Sequence, residues 1–545
     1  MKKKWFLYAT GFFSGMSVMA IELGASRLLA PYFSSSQIVW TIVIGTIMIA
    51  MALGNILGGK MADKYKDPKR LFIFLFVAAI WTALIPLVGK FIIAGVAVGL
   101  ATFVTKNYLI IAALVSCLLV FVFPLLVLGM VTPNLVKFAL NDENESGKTV
   151  GIIEALNTIG SIIGTFIPTF VSIPNVGTAL TFVIFASILL AICLIYVVLT
   201  FIREKQKPTV KKIVILSILT ALAIGSLGGG IASRKISNAF WQSNTIHEDE
   251  SIYNYLRVEE TEKAIIFSTN VLFGVQSIKL KERGLTGMYY DKAMAAPVMA
   301  GGTTKTLDVL ILGLGTGTFA TQCNNYLPKY NYDGVEIDQK IIDIAYDFFD
   351  LPDNVKTYTE DGRAYIAKCE KKYDVIMVDA YQDITIPFQM SSIEFFKEVE
   401  KHLNDNGVMV VNMNMYSDKE GSIVDYLCGT ICEVFDSVYV TPAAGGSGNV
   451  ELFASNNYEV KETLAVKKET ITDPDLKWMI NTVYNNLIHL EKNGYILTDD
   501  KAPVELLGMK VLDEIIVDEL SYYKDLIKGK SLKELIDMLV NGEFA

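Results

Sequence analysis

Apolar residues fill long, nearly unbroken runs in the first part of the chain, at about residues 5–27, 37–59, 71–89, 108–131, 150–172, 178–202 and 213–232. A helix needs about 20 such residues to cross the ~30 Å hydrocarbon layer of a bilayer. The pattern therefore predicts a helical multi-pass membrane bundle over residues 1–232 with about seven spans. The stretch Phe91–Thr105 is apolar but short and broken by glycine, which predicts an interfacial or re-entrant helix. The first run continues past Met16 without a small-residue cleavage site, so it reads as a span and not as a cleaved signal.

After Gly230 the pattern changes. Tyr255–Glu260 (YLRVEE), Ala264–Ser268 (AIIFS) and Val275–Leu280 (VQSIKL) alternate with a period of two, which predicts a small antiparallel sheet inside a linker and subdomain spanning 233–300. From 301 to 456 strands and helices take turns. The strands are Leu307–Leu312, Asp333–Ile337, Val355–Thr359, Val375–Asp379 and Val408–Met413. The helices are one ending near Tyr326, then Lys340–Phe349, Gly362–Cys369 and Ser392–His402. This order implies a mostly parallel, doubly wound, Rossmann-like sheet. Residues 457–545 are expected to form a C-terminal helical extension.

Composition sharpens this division. Of 545 residues, 52% are hydrophobic and 19% charged, with mean hydropathy +0.41, too apolar for an ordinary soluble enzyme. A net charge of −9 offers no broad basic surface, so nucleic acid is excluded as a partner and a lipid bilayer is expected instead. Lys and Arg cluster on alternate loops: Lys2 to Lys4; Lys60, Lys64, Lys66, Lys69 and Arg70; Lys137 and Lys148; and Arg203 to Lys212. By the positive-inside rule these loops face the cytoplasm of a multi-pass cell-membrane protein. Glu22, Arg27, Asn55, Glu154 and Asn157 fall within spans, where such groups face the bundle interior as a polar path or as interhelical hydrogen-bond partners.

The six cysteines form no CxxC pair, and Cys428 and Cys432, at helical spacing, read as packed thiols. His247, His402 and His489 stand in unrelated contexts, so no His-based zinc site or triad is expected and no metal is assigned. The informative chemistry is acidic and glycine-rich. LDVLILGLGTGT places Gly313, Gly315, Thr316 and Gly317 where a buried strand turns into a helix, leaving backbone N–H groups open to a ligand. Glu336 ends the next strand, where a carboxylate can accept both hydroxyls of a ribose. Asp361, followed by Gly362, and Asp379 end the third and fourth strands. Ligands of open α/β sheets sit at the carboxyl ends of the strands, so these residues should converge on one acidic crevice.

In this order the motifs resemble the spermidine synthase family of polyamine aminopropyltransferases. The matching pieces are ESIYNYLRV, MYYDKAM, the glycine loop, GVEID, TEDGRAY and VDAYQD, over about residues 250–455. ELGASRLLAPYF near the start and YILTDDKAPVELL near the end resemble the membrane-fused branch. The resemblance implies a class I methyltransferase-type fold and transfer of an aminopropyl group from decarboxylated S-adenosylmethionine to an amine such as putrescine, giving spermidine and methylthioadenosine. It also implies that Glu336 holds the ribose, Asp361 the adenine amine and Asp379 the attacking amine, with Tyr290 lining the acceptor pocket beside Tyr381 and Asp383. Three positions depart from the family pattern. Thr316 stands where an Asp helps bind the donor amine, Gln382 stands where a second loop Asp is usual, and Asp291 replaces the Gln after the pocket Tyr.

Those departures leave intact S-adenosylmethionine open as donor, and with it methyl transfer or another opening of the sulfonium. A sensor domain gating a membrane transporter is a third reading, and a homo-oligomer is left open. Such donors are made in the cytosol, yet seven spans with a cytoplasmic N-terminus would put the catalytic domain outside. A re-entrant last segment, ending Gly228-Gly229-Gly230, would keep it inside.

Overall fold

The structure, a computed structural model, describes residues 4–33, 36–65, 67–101, 104, 107–140, 146–204, 210–271, 275–380, 386–413, 420–442, 449–508 and 511. The described residues divide into two compact units, one up to Gln242 and one from Ser243 onward.

The first unit is helical: α1 Lys4–Phe33, α2 Gln37–Lys64, α3 Lys69–Ala101, α4 Tyr108–Val120, α5 Val122–Gly129, α6 Val131–Ala139, α7 Ser146–Ile167, α8 Ile173–Glu204 and α9 Val210–Ala232. Among the described residues, six helical runs are long and apolar enough to cross a membrane. One of them, Ser146–Thr200, is 55 residues long, roughly 80 Å at 1.5 Å per residue, more than twice a bilayer core. It leaves helical backbone at Gly177 (φ 83°, ψ 169°), so the two runs expected at 150–172 and 178–202 are two legs joined there.

Two expectations fail. Phe91 to Ala101 continues α3 without a break and is no separate re-entrant piece. The segment ending Gly228-Gly229-Gly230 is likewise a continuous helix, α9, and not a re-entrant turn. Its glycine serves contact instead: a Cβ at Gly230 would lie 2.3 Å from the Ala83 carbonyl oxygen, so α9 meets α3 backbone to backbone. Asn157 acts as an interhelical link, its amide donating to the Gly11 carbonyl across α1 and α7 (3.3 Å).

The second unit begins with a four-stranded antiparallel sheet, β1 Thr245–Glu250, β2 Tyr255–Glu260, β3 Ala264–Ser268 and β4 Ser277–Leu280. β1 (TIHEDE) lacks apolar alternation, which is why the sequence pattern misses it. Two short helices, α10 Tyr289–Ala293 and α11 Ala295–Met299, lead into the main sheet.

Its strands are β5 Asp308–Leu312, β6 Asn331–Glu336, β7 Val355–Thr359, β8 Tyr373–Val378, β9 Leu403–Met413, β10 Ser437–Pro442, β11 Val450–Ser455 and β12 Ile488–His489. The spatial order is β12-β10-β11-β9-β8-β5-β6-β7. β5 to β9 are parallel, and β11, β10 and β12 close one edge antiparallel. This is the doubly wound fold expected from the strand-helix alternation.

Helices α12 Thr318–Tyr326, α13 Gln339–Phe348, α14 Gly362–Lys368, α15 Ile393–Lys401, α16 Ile423–Cys432, α17 Val460–Lys467 and α18 Pro474–Asn486 cover its faces. Asp338, Asp361, Ser392, Ser422 and Asp473 cap α13, α14, α15, α16 and α18. Of the residues expected as a C-terminal helical extension from 457 onward, Val460, Leu464, Met479 and Ile480 lie with Val309, Ile311 and Val410 in one buried cluster of this same core.

Candidate active site

Strand order reverses between β5 and β8, and the crevice outside their carboxyl ends is where the sheet is built to hold a ligand. Short backbone bonds set its floor. The Asp379 N–H donates to the Leu312 carbonyl (2.9 Å), the Gly313 N–H to Val335 (2.9 Å) and the Glu360 N–H to Glu336 (3.0 Å), which brings the ends of β5, β6, β7 and β8 together. Gly313 has φ 88°, and a Cβ there would lie 2.5 Å from the Asp379 carbonyl oxygen, so no other residue fits between the two strand ends. Thr316 is buried and bonds to the Thr318 hydroxyl (3.1 Å), and Gly317 is the N-cap residue of α12.

Glu336 is buried, and both its oxygens are engaged: Oε2 accepts the Gly315 N–H (2.9 Å) and Oε1 the Asp338 N–H (3.1 Å). Burial pushes its carboxyl up to about 7, against the pull of those N–H donors. Asp338 receives the Ser251 hydroxyl and, at 3.4 Å, the Asn254 amide, so ESIYNY ties the small sheet to the Glu336 turn. Asp361 accepts the Ala364 N–H at the start of α14 (2.9 Å) and stays partly accessible, as does Gly362.

Asp379 follows β8 and is partly buried. Its Oδ2 accepts the Tyr289 hydroxyl, and its Oδ1 accepts the Asn412 amide at 3.0 Å. Burial pushes this carboxyl to about 7; the two donors pull it down and the Glu336 charge adds to the rise. Asn412 in turn accepts from the Asn449 amide (3.2 Å).

The tandem tyrosines are distributed differently from the resemblance. Tyr290 is fully buried with its hydroxyl accepting the Ile278 N–H (2.8 Å), while its neighbour Tyr289 reaches Asp379. Asp291 does not open onto the crevice. Its oxygens accept from Thr286 (3.0 Å), the Gly287 N–H (2.7 Å) and Gln322 (2.8 Å), which consumes it in the turn before α10. Tyr381, Gln382 and Asp383 lie outside the described residues.

Three residues that sequence reasoning passed over join the group: Tyr289, Asn412 and Glu451. The signal for the last two is present in the sequence, since each interrupts an apolar stretch, VMVVNM and VELFA.

The arrangement sets the glycine turn and Glu336 on one side and Asp379 on the other, with burial pushing both carboxyls up to about 7. Residues 289–462 match the family model described as the spermine/spermidine synthase domain. A protein of Bifidobacterium longum (strain NCC 2705), named probable polyamine aminopropyl transferase, is 48% identical over 314 residues, covering 55% of this chain and 70% of its own.

The chain belongs to the polyamine aminopropyltransferase family.

It is thus a transferase of the spermidine synthase type. Another member of the aminopropyltransferase family, the polyamine aminopropyltransferase of Vibrio vulnificus (strain CMCP6), is 27% identical over 279 residues, 49% of this chain and 92% of its own. The solved structure of a probable spermidine synthase from Corynebacterium glutamicum aligns at 19% identity over 46% of this chain and 91% of that one, with a TM-score of 0.36.

Proposed function

We propose that this protein is an integral-membrane aminopropyltransferase that moves an aminopropyl group from decarboxylated S-adenosylmethionine to an amine such as putrescine. The observation that carries the reading is the hydrogen-bonded unit Tyr289–Asp379–Asn412 beside the glycine turn and Glu336. The donor supplies an electrophilic CH₂ next to a sulfonium, whose C–S bond breaks as the C–N bond forms, releasing methylthioadenosine.

The chain's own residues set up that displacement. Glu336 and the Gly313–Gly317 turn hold the nucleoside, with Asp361 at the adenine end. Asp379 accepts the proton that an ammonium must lose before its nitrogen can attack, and a carboxyl near 7 is matched to that task at neutral pH. Tyr289 and Asn412 fix the carboxylate's orientation. The buried Thr316 leaves the donor amine without the acid usual in the family, so product analysis is the deciding test. Purified protein with decarboxylated donor and putrescine is expected to release methylthioadenosine. Adenosylhomocysteine from the intact donor instead would replace the proposal with methyl transfer, and binding with neither product would favour a sensor.

The membrane part of the proposal rests on the six apolar helical runs and the alternate basic loops. The loop around Lys64 is expected to face the cytoplasm. A Lys64→Cys variant in a cysteine-free background should resist an impermeant maleimide in intact cells, and labelling there would reverse the assignment. Counting both legs beside Gly177, the helices make seven crossings, which argues for an outer catalytic domain, whereas donor supply argues for an inner one. The same reagent at Lys372→Cys decides between them.

A further inference from the structure

Asp361 spends only one oxygen on its own helix. Its Oδ1 caps α14 through the Ala364 N–H, and among the described residues Oδ2 accepts no hydrogen bond, which leaves it for a ligand's N–H. Two residues on, Arg363 carries a positive charge that acts on Asp361. A guanidinium so close competes for that open oxygen. Yet among the described residues the two form no ion pair, because Arg363 is taken up elsewhere. Its Nη1 donates to the Gln389 carbonyl (2.8 Å) and to Asp499 Oδ1 (2.7 Å), and its Nη2 to Asp499 Oδ2 (2.6 Å).

The holder is itself held. Asp499 sits in a tight turn closed by paired backbone bonds between Thr498 and Lys501 (2.9 and 3.2 Å), and Leu497, just before that turn, is fully buried. Asp499 also accepts the Ser392 hydroxyl, and its N–H donates to Glu394 Oε2 (3.0 Å), so the start of α15 fixes it as well. The Gln389 carbonyl belongs to a 3₁₀ turn, Phe388–Met390, that closes on the same place. A Cβ at Gly362 would lie 3.2 Å from Cε of Met390 and 3.6 Å from Cβ of Leu312 at the end of β5.

Resting on the nucleoside half of that reading, with Asp361 at the adenine end, we propose that Asp499 is a positioning residue for nucleoside recognition: it draws the Arg363 guanidinium away from Asp361 and so reserves the open oxygen for the exocyclic amine of adenine. A carboxylate that meets the guanidinium with both oxygens outcompetes a single contact, because the N–H donors lie in a fixed fork. Without a carboxylate at 499 the guanidinium is left to Glu394 and Asp361, the other two acids whose charge acts on it. The amine then meets a carboxylate already engaged.

The test is a binding titration on the full-length protein with two ligands, methylthioadenosine and its analogue with hydrogen in place of the adenine amine. Native protein is expected to favour methylthioadenosine by about tenfold or more, the worth of one hydrogen bond to a charged acceptor. D499N is expected to reduce that preference to within about threefold while binding the analogue as tightly as native protein does. Asp499→Ser, which suits the turn, is expected to behave like D499N and keeps the test valid where the amide variant does not fold. A variant that keeps the preference overturns the proposal. So does one that loses both ligands equally, since Asp499 would then only hold the domain together. A native protein that binds both ligands alike removes Asp361 from the adenine end, and the proposal with it. Neither ligand reacts, so failure of the aminopropyl reading appears separately, as a different product from the donor.

Discussion

Replacing Asp379 by Asn is expected to lower turnover by roughly 10²- to 10⁴-fold while methylthioadenosine still binds, the usual cost of removing a general base. The geometry makes this a clean substitution. An Asn side chain can keep the Asn412 amide on its oxygen and donate its own amide to the Tyr289 oxygen, so the shape and both contacts survive, and only proton uptake is lost. The native enzyme supplies its own control through pH. The base must be ionised to act and its carboxyl lies near 7, so kcat/KM should rise about tenfold per pH unit below 7 and level off above it. Tyr289→Phe removes a donor that favours the ionised form, so the carboxyl rises further and the limb moves to higher pH. Methylthioadenosine release measured from pH 5.5 to 8.5 reads all three proteins. An Asp379→Asn variant within about threefold of native would exclude Asp379 as the base.

The second large effect is expected at Glu336. Glu336→Gln should weaken methylthioadenosine binding by about 1.5–3 kcal/mol, roughly 10- to 150-fold. Both native oxygens accept backbone N–H groups, from Gly315 and Asp338. A Gln offers one oxygen and one NH₂, so one of those donors faces another donor, and the turn loses a bond as well as its charge. Ribose hydroxyls also donate, which favours ionised Glu336, so the carboxyl near 7 in the free protein should fall on binding and release a proton. The sign follows: native affinity strengthens as pH rises through 7, whereas the variant's is flat. Calorimetry at pH 6.5 in two buffers of different ionisation enthalpy measures the proton release. Equal affinity for the two proteins would remove Glu336 from the site.

Much of this was legible in the sequence for a simple physical reason. Parallel strands covered on both faces are apolar throughout, so a polar residue where such a run stops marks the carboxyl end of a strand. Asp379, after VIMV, stands out in that way, whereas Glu336 and Asp361 end strands that carry other polar residues and are legible from their place after the glycine turn in the strand-helix order. Tyr289 did not, because α10 is five residues long and the phase of so short a helix cannot be read from its pattern. The motif reading picked Tyr290 of the tandem pair, but its hydroxyl is taken by the Ile278 N–H of β4, and it is Tyr289 that reaches Asp379. Asn412 and Glu451 are brought together by the pairing of β9 with the antiparallel strand β11, and strand order is a long-range property with no local signature. In the helical unit the apolar runs were plain, but glycine was ambiguous. The same residue breaks a helix at Gly177 and lets two helices touch at Gly230, and only the neighbours distinguish the cases.

The tail motif YILTDDKAPVELL acts at a distance from the chemistry. Asp499 takes both guanidinium nitrogens of Arg363, at 2.7 and 2.6 Å, together with the Ser392 hydroxyl at 2.5 Å. The Leu497 carbonyl accepts the Ile393 N–H (2.9 Å), and Ile488–His489 adds the last strand to the sheet edge. Arg363 belongs to the helix that Asp361 caps, so the turn that carries Asp361 is braced by residues more than a hundred positions later in the chain. During synthesis α1 to α9 therefore leave the ribosome well before the segment that braces α14. Until that segment emerges, the sheet lacks β12 at its edge and α14 lacks its ion pair to Asp499.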